Sequence, residues 1–284
     1  MWVEAARPRT LPAAIAPVLV GTAAAEDFTF WRFAAALVVA LAIQVGVNYA
    51  NDLFDAVRGV DSPLRTGPRR AVAAGLVSPG AMRAAMIVAF GVASLAGLAL
   101  TAEVGPELLL VGAASFLAAL GYSGGPKPYA SIGLGEVSVF VFFGLVATVG
   151  SAYVQDETLS RLAYIAAVPI GLLATAILVA NNLRDIDADE AAGKRTLALR
   201  IGKARTRRLY QALVSIALLY TGVVAAVDGS FLPLLAWAAV PFAVRPALLV
   251  LHSDDPGDQI KALAGTARLQ LIYGALLAVG LWAS

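Results

Sequence analysis

Long apolar runs, separated by short polar stretches, dominate the chain. Nine segments stand out, at about 11–25, 33–54, 82–101, 106–122, 134–153, 161–183, 208–227, 231–251 and 263–282. Crossing the hydrocarbon core of a bilayer takes roughly 20 residues of helix, and most of these runs have that length. Backbone groups in lipid must pair within their own segment, so continuous Ala/Leu/Val-rich runs predict helices. A β-barrel would instead need short segments of alternating polarity. The first run is short and carries Pro12 and Pro17, which predicts a kinked or tilted helix. The expectation is an all-α integral membrane protein: nine transmembrane helices around a central cavity, with cytoplasmic cap loops, as one domain over 1–284.

The polar positions that break this pattern are ordered too. Near the end of the second run, Gln44, Asn48, Asn51 and Asp55 are spaced four, three and four, which places them on one helical face. Asp52 lies on the flank of that stripe, and Asp61 follows after Gly59. At the end of the sixth run, Asn181, Asp185 and Asp189 fall at i, i+4 and i+8, with Asn182 and Asp187 beside them. Four spans separate the two patterns, which fits an internal repeat of two four-helix halves plus a ninth helix. A polar stripe on an apolar helix must face the bundle interior or water.

Composition fits this picture. The chain is 60% hydrophobic and 14% charged, far from the usual soluble balance. A soluble protein this apolar would expose large greasy patches. The 284 residues contain no cysteine, which excludes disulfides, thiolate metal sites and thiol catalysis. Nothing points to nucleic acid. The basic N-terminus, Met1 to Thr10, leads into an apolar stretch with no convincing cleavage site, and reads as a retained first helix.

Charge placement gives an orientation. With the N-terminus in the cytoplasm, the connections after spans two, four, six and eight share its side. That side then holds Arg7, Arg9, Arg58, Arg65, Arg69, Arg70, Lys127, Arg184, Lys194, Arg195, Arg200, Lys203, Arg205, Arg207, Arg208 and Lys261, whereas the outer connections hold only Arg32 and Arg161. This obeys the positive-inside rule. The two long loops, about 55–81 and 184–207, fall on the cytoplasmic side, where chemistry is expected.

Six carboxylates (Asp52, Asp55, Asp61, Asp185, Asp187 and Asp189) gather near helix C-terminal ends, where the macrodipole disfavours anions. They repel one another unless a cation intervenes. Simple solvation of helix ends accounts poorly for a matched pair of such motifs. Oxygen donors without His or Cys suit a hard ion such as Mg²⁺, which usually shares its shell with substrate phosphates. Arg58, Arg65, Arg69 and Arg70 follow the first motif, Arg184, Lys194 and Arg195 accompany the second, and Lys127 sits in the Tyr122–Lys127 loop. Such side chains bind phosphate. Arg205, Arg207 and Arg208 read instead as topology anchors, and the single His252 as a surface residue.

These residues carry a resemblance to the UbiA-type intramembrane aromatic prenyltransferases. Asn51-Asp52-x-x-Asp55 is similar to the first aspartate motif of that family, and Asp185-x-x-x-Asp189 to the second. Residues 6–14, 59–61, 67–72, 121–126, 133–136, 181–187 and 192–197 carry it further, so it covers essentially the whole chain. Asp61 lies six residues after Asp55, where the hydroxybenzoate branch has its last motif Asp four after; this favours the 1,4-dihydroxy-2-naphthoate branch.

The resemblance implies transfer of a polyprenyl group from its diphosphate to the naphthoate ring with loss of CO₂, giving demethylmenaquinol in the inner cell membrane. It implies Asp52, Asp55, Asp185 and Asp189 as catalytic residues. It implies Asn51, Asp55, Asp61, Asp185 and Asp189 as ligands of two magnesium ions. Asn48, Arg58, Tyr122, Lys127, Asn181, Arg184, Lys194 and Arg195 would hold substrate. Tyr122 and Tyr129 serve equally well as substrate-orienting or interfacial residues. Three other readings compete. A 4-hydroxybenzoate transferase differs only in acceptor. A CDP-alcohol phosphatidyltransferase needs Gly after its first Asp, and Leu53 follows Asp52. A cation-coupled transporter would place its acids on broken helices at midplane.

Overall fold

The computed structural model describes residues 1–59, 70–125 and 128–284, and every regular element among them is helical. Asp61, Arg65, Arg69 and Lys127 lie outside the described residues. Each predicted apolar run contains a helix. We number them α1 (Pro12–Ala23), α2 (Phe30–Val57), α3 (Pro79–Val104), α4 (Glu107–Ser123), α5 (Gly135–Asp156), α6 (Arg161–Arg184), α7 (Lys203–Asp228), α8 (Leu232–His252) and α9 (Pro256–Ala283). Among the described residues, seven of these are long and apolar enough to cross a bilayer; α1 and α4 are shorter, at 12 and 17 residues. Their lengths correspond to roughly 18 and 26 Å at 1.5 Å per residue.

The ends follow local chemistry. Ser78, Ser160 and Asp255 cap α3, α6 and α9 by accepting a backbone N–H from the first turn. α7 ends at Gly229, whose φ of 80° needs the left-handed region. α9 begins at Pro256, well before the predicted 263, because its first two turns are polar and leave no apolar signature.

α6 is the central helix. Ala166, Ile170, Leu173 and Ala176 are fully buried, and they join residues of α1, α7 and α9 in the main core. Interhelical hydrogen bonds tie this core: Tyr210 to Thr266 at 2.6 Å, Thr221 to Tyr273 at 2.8 Å, and Gln270 Nε2 to the Ile170 carbonyl at 3.3 Å. Apolar burial gives little discrimination within lipid, so small side chains and such bonds set the packing. In α5, Phe140–Val146 winds as a π-helix. Gly144 there packs on Gly171 of α6 so closely that a Cβ at 144 would lie 2.6 Å from Gly171 Cα. Leu95, Leu110, Leu117, Leu219 and Phe231 point outward and are largely exposed, as a lipid-facing surface requires.

Candidate active site

The C-terminal ends of α2 and α6 reach one cavity of about 630 Å³. Its body is apolar, walled by Ile43 and Val47 of α2, Leu98 of α3, Phe116 of α4, Phe142 of α5 and Leu178 of α6. Its polar end gathers Asn51, Asp55, Arg58, Arg70, Asn181, Asp185, Asp189 and Lys194. The helical spacing of the two motifs therefore does what the sequence implied: both stripes face the cavity, at the ends of their helices.

Asp55 is the hub of the first motif and is buried. Arg58 reaches one of its oxygens at 3.2 Å and Arg70 the other at 2.9 Å. Lys194 Nζ lies 3.7 Å from Asp55 and 3.4 Å from Asp189, so one ammonium links the motifs. Asn51 accepts a hydrogen bond from the Ser123 hydroxyl, and Arg58 donates to the Ser123 carbonyl, which fixes the end of α4 against α2. Past α6 the chain turns at Asp185 and enters a short helix, Ile186–Ala191, with Asp189 N–H bonded to the Asp185 carbonyl at 2.8 Å. That continuity keeps Asp185 and Asp189 on the cavity side.

Several expected residues stand elsewhere. Asp52, expected to be catalytic, does not line the cavity. Its two oxygens accept the backbone N–H groups of Ala71 and Val72 at 2.8 and 3.0 Å, so it clasps the loop that presents Arg70. Arg184 is not a cavity residue either; its guanidinium forks onto Asp185 at 2.7 and 2.6 Å and bonds Asn181 Oδ1 at 2.9 Å. It thus orients two cavity side chains from behind. Arg195 is exposed, and its backbone N–H bonds the Ser131 carbonyl at 2.8 Å. Asp187 is exposed and pairs with Lys203. Asn48 does line the cavity, yet its amide is spent on the Ala6 carbonyl and the Thr10 hydroxyl, at 2.9 and 3.2 Å. With Gln44, also bonded to Thr10, it ties the N-terminal segment over the site.

The structure adds residues that pattern reading did not select. Arg70 was one of four arginines after the first motif, and nothing in the spacing singled it out. Arg7, with a left-handed φ of 53°, lines the cavity although it reads as a topology signal. Tyr122, by contrast, was expected to hold substrate, and it lines the cavity with its ring edge-on to Tyr129 at 5.5 Å. Tyr129 donates to the Ala118 carbonyl and shares a hydrogen with Ser138. Burial raises the Tyr129 hydroxyl above its ordinary range, opposed by the Ser138 hydrogen bond, so it stays neutral near pH 7.

Among the described residues no three carboxylates converge as a closed metal cage. The donors Asn51, Asp55, Asp185 and Asp189 are all oxygen and all line one cavity. They fit a hard ion whose shell is completed by phosphate oxygens and water.

Residues 14–272 match the sequence family described as the UbiA prenyltransferase family. The chain belongs to this family. UbiA-family relatives align over nearly the full length. The chain is 42% identical to a 1,4-dihydroxy-2-naphthoate octaprenyltransferase of Mycobacterium leprae, covering 98% of this chain and 95% of the relative. It is 37% identical to the enzyme of that name from Escherichia coli, over 100% and 95%. A UbiA homolog from Archaeoglobus fulgidus bound to GPP and Mg²⁺ superposes with TM-score 0.67 at 15% identity, covering 98% of this chain and 99% of that one. Apo UbiA homolog from Aeropyrum pernix K1 superposes with TM-score 0.69, over 95% of each chain. At such identities the superpositions establish the UbiA fold, and with the apolar helices they make the chain a multi-pass membrane protein.

Proposed function

We propose that the chain transfers a polyprenyl group from polyprenyl diphosphate to 1,4-dihydroxy-2-naphthoate, with loss of CO₂, giving demethylmenaquinol. The observation that carries this reading is one cavity with a charged end and an apolar body, in a chain similar over its whole length to enzymes of that name. The diphosphate would occupy the charged end, against Arg58, Arg70 and Lys194. The prenyl tail would follow the apolar body.

Asn51, Asp55, Asp185 and Asp189 would hold magnesium, in two ions by our reading. Bound there, the metal neutralises charge on the departing diphosphate. Arg58, Arg70 and Lys194 receive the oxygens that gain charge as the C–O bond breaks and its electron pair leaves with diphosphate. Apolar walls keep water from the allylic cation. The ring carbon that bears the carboxylate then bonds to the prenyl C1, and the carboxylate departs as CO₂, the electron pair of the broken C–C bond returning to the ring.

In the membrane, we place the N-terminus, the charged end and the loops around it on the cytoplasmic face of the inner membrane, in accord with the Lys/Arg asymmetry. α1 and α4 complete nine spans in this arrangement. Purified protein in detergent with Mg²⁺ and prenyl diphosphate should convert dihydroxynaphthoate to a decarboxylated, prenylated product, identified by mass. Turnover of 4-hydroxybenzoate alone would reassign the acceptor.

A further inference from the structure

On the wall of the cavity one turn below the charged end, α6 presents Asn182. The positions Leu178, Asn182, Asp185 and Asp189 are spaced four, three and four, and all line the cavity. Asn182 therefore lies three residues, about 4.5 Å of helix rise, deeper than Asp185. Its side-chain NH₂ donates to Glu136 Oε1 at 2.9 Å. Glu136 is 6% exposed and stands behind Asn182, not on the cavity surface. That bond occupies the amide NH₂ and leaves the amide oxygen for another partner. Asn182 Oδ1 is left without a hydrogen bond among the described residues. One more polar group lines the cavity. Tyr122 presents a hydroxyl with no partner among the described residues.

Such a wall suits a particular ligand. A carbonyl oxygen accepts and does not donate, so it offers diphosphate no hydrogen bond and does not extend the charged end. It favours a neutral hydroxyl donor. Tyr122, held edge-on by Tyr129, adds an aromatic surface beside it. The depth is also right, since a ring carbon must come within about 3.5 Å of the prenyl carbon that leaves the diphosphate.

We propose that Asn182 and Tyr122 form the acceptor subsite, with Asn182 Oδ1 accepting the hydrogen of a ring hydroxyl of the hydroxynaphthoate. Glu136 is a positioning residue that locks the Asn182 amide. The proposal rests on the function given above and deepens it.

The test measures binding and turnover separately. Binding of 1-hydroxy-2-naphthoate, a stable acceptor analogue, is followed by its own fluorescence on protein without prenyl donor. Asn182→Leu should weaken it about tenfold, the worth of one hydrogen bond, and should raise the acceptor KM similarly while leaving the prenyl diphosphate KM within about twofold. Glu136→Gln offers the Asn182 amide both an acceptor and a donor, so it should bind between wild type and Glu136→Leu, whereas Glu136→Leu should bind like Asn182→Leu. Unchanged naphthoate affinity in Asn182→Leu, or equal losses for both substrates, overturns the subsite. Should Asn182→Leu fail to fold, the two Glu136 variants decide, and equal affinities there overturn it. Wild type that binds hydroxynaphthoate in this manner yet never prenylates dihydroxynaphthoate would refute the function while leaving the subsite intact.

Discussion

Asp55 and Lys194 face each other at 3.7 Å across the charged end of the cavity, although one ends α2 and the other follows α6. The same Lys194 ammonium is 3.4 Å from Asp189. It is a mobile point charge on a flexible stem, placed where two acidic motifs would otherwise repel. Lys194→Ala should raise the prenyl diphosphate KM about tenfold or more, with a smaller effect on the acceptor KM. Steady-state kinetics with each substrate varied in turn checks this. Lys194→Arg should recover part of the loss, because charge is kept while the geometry changes.

The all-oxygen donor set makes metal removal a direct test. Chelation with EDTA should abolish diphosphate release, and Mg²⁺ should restore it. Asp55→Ala and Asp185→Ala should each lower kcat by about 100-fold or more, the scale seen when a preorganised charge-stabilising group is removed. Retained turnover in both variants would place the chemistry elsewhere.

The contact between Gly144 and Gly171 sets α5 against α6. Gly144→Val would drive a side chain into the α6 backbone, and overpacking of this kind costs about 1–3 kcal/mol or more. A lower melting temperature in detergent is expected, together with reduced turnover, because Phe142 and Val146 of the same π-helical segment line the cavity. Gly91 in α3 has open space where a Cβ would stand, so Gly91→Ala should leave the melting temperature unchanged or slightly higher.

Absence of cysteine makes the orientation measurable by single substitutions. Glu190, beside the charged end, and Asp27, between α1 and α2, are both exposed. In spheroplasts, an impermeant maleimide should label Asp27→Cys, and should label Glu190→Cys only after permeabilisation. The reverse pattern would invert the assigned topology.

The sequence was most legible where periodicity acts. Among the described residues, apolar runs located seven helices long enough to cross a bilayer and two shorter apolar ones, and the spacing of Asn51 with Asp55, and of Asn181 with Asp185 and Asp189, placed these residues on the cavity wall. It was least legible where a turn decides the direction of a side chain. Arg70 pairs with Asp55 from fifteen residues away, a tertiary contact that spacing does not encode, and four nearby arginines look alike in sequence. Arg184 sits one residue from Asp185, and a helix turns about 100° per residue, so the neighbours face different ways. Glu136 stood among the residues that carry the family resemblance, but spacing gave it no role, because its partner Asn182 is reached through tertiary packing.

The same distinction separates Asp52 from Asp55, which adjoin in one motif yet do different work. Asp52 is 2% exposed and accepts two loop N–H groups, while Asp55 meets Arg58, Arg70 and Lys194 at the cavity. Asp52→Ala strands two backbone donors, each costing about 1–3 kcal/mol when buried without a partner. A clear fall in melting temperature is expected. The prenyl diphosphate KM should rise as well, since the freed loop no longer holds Arg70 against Asp55. Asp52→Asn keeps one acceptor oxygen and should lie between the two. Asp55→Asn should do the opposite, losing most of kcat with a smaller change in melting temperature, because it keeps the shape of the site and removes the charge. If Asp52→Asn instead abolished turnover at an unchanged melting temperature, Asp52 would be acting at the reacting centre, and its assignment as a loop clasp would be wrong.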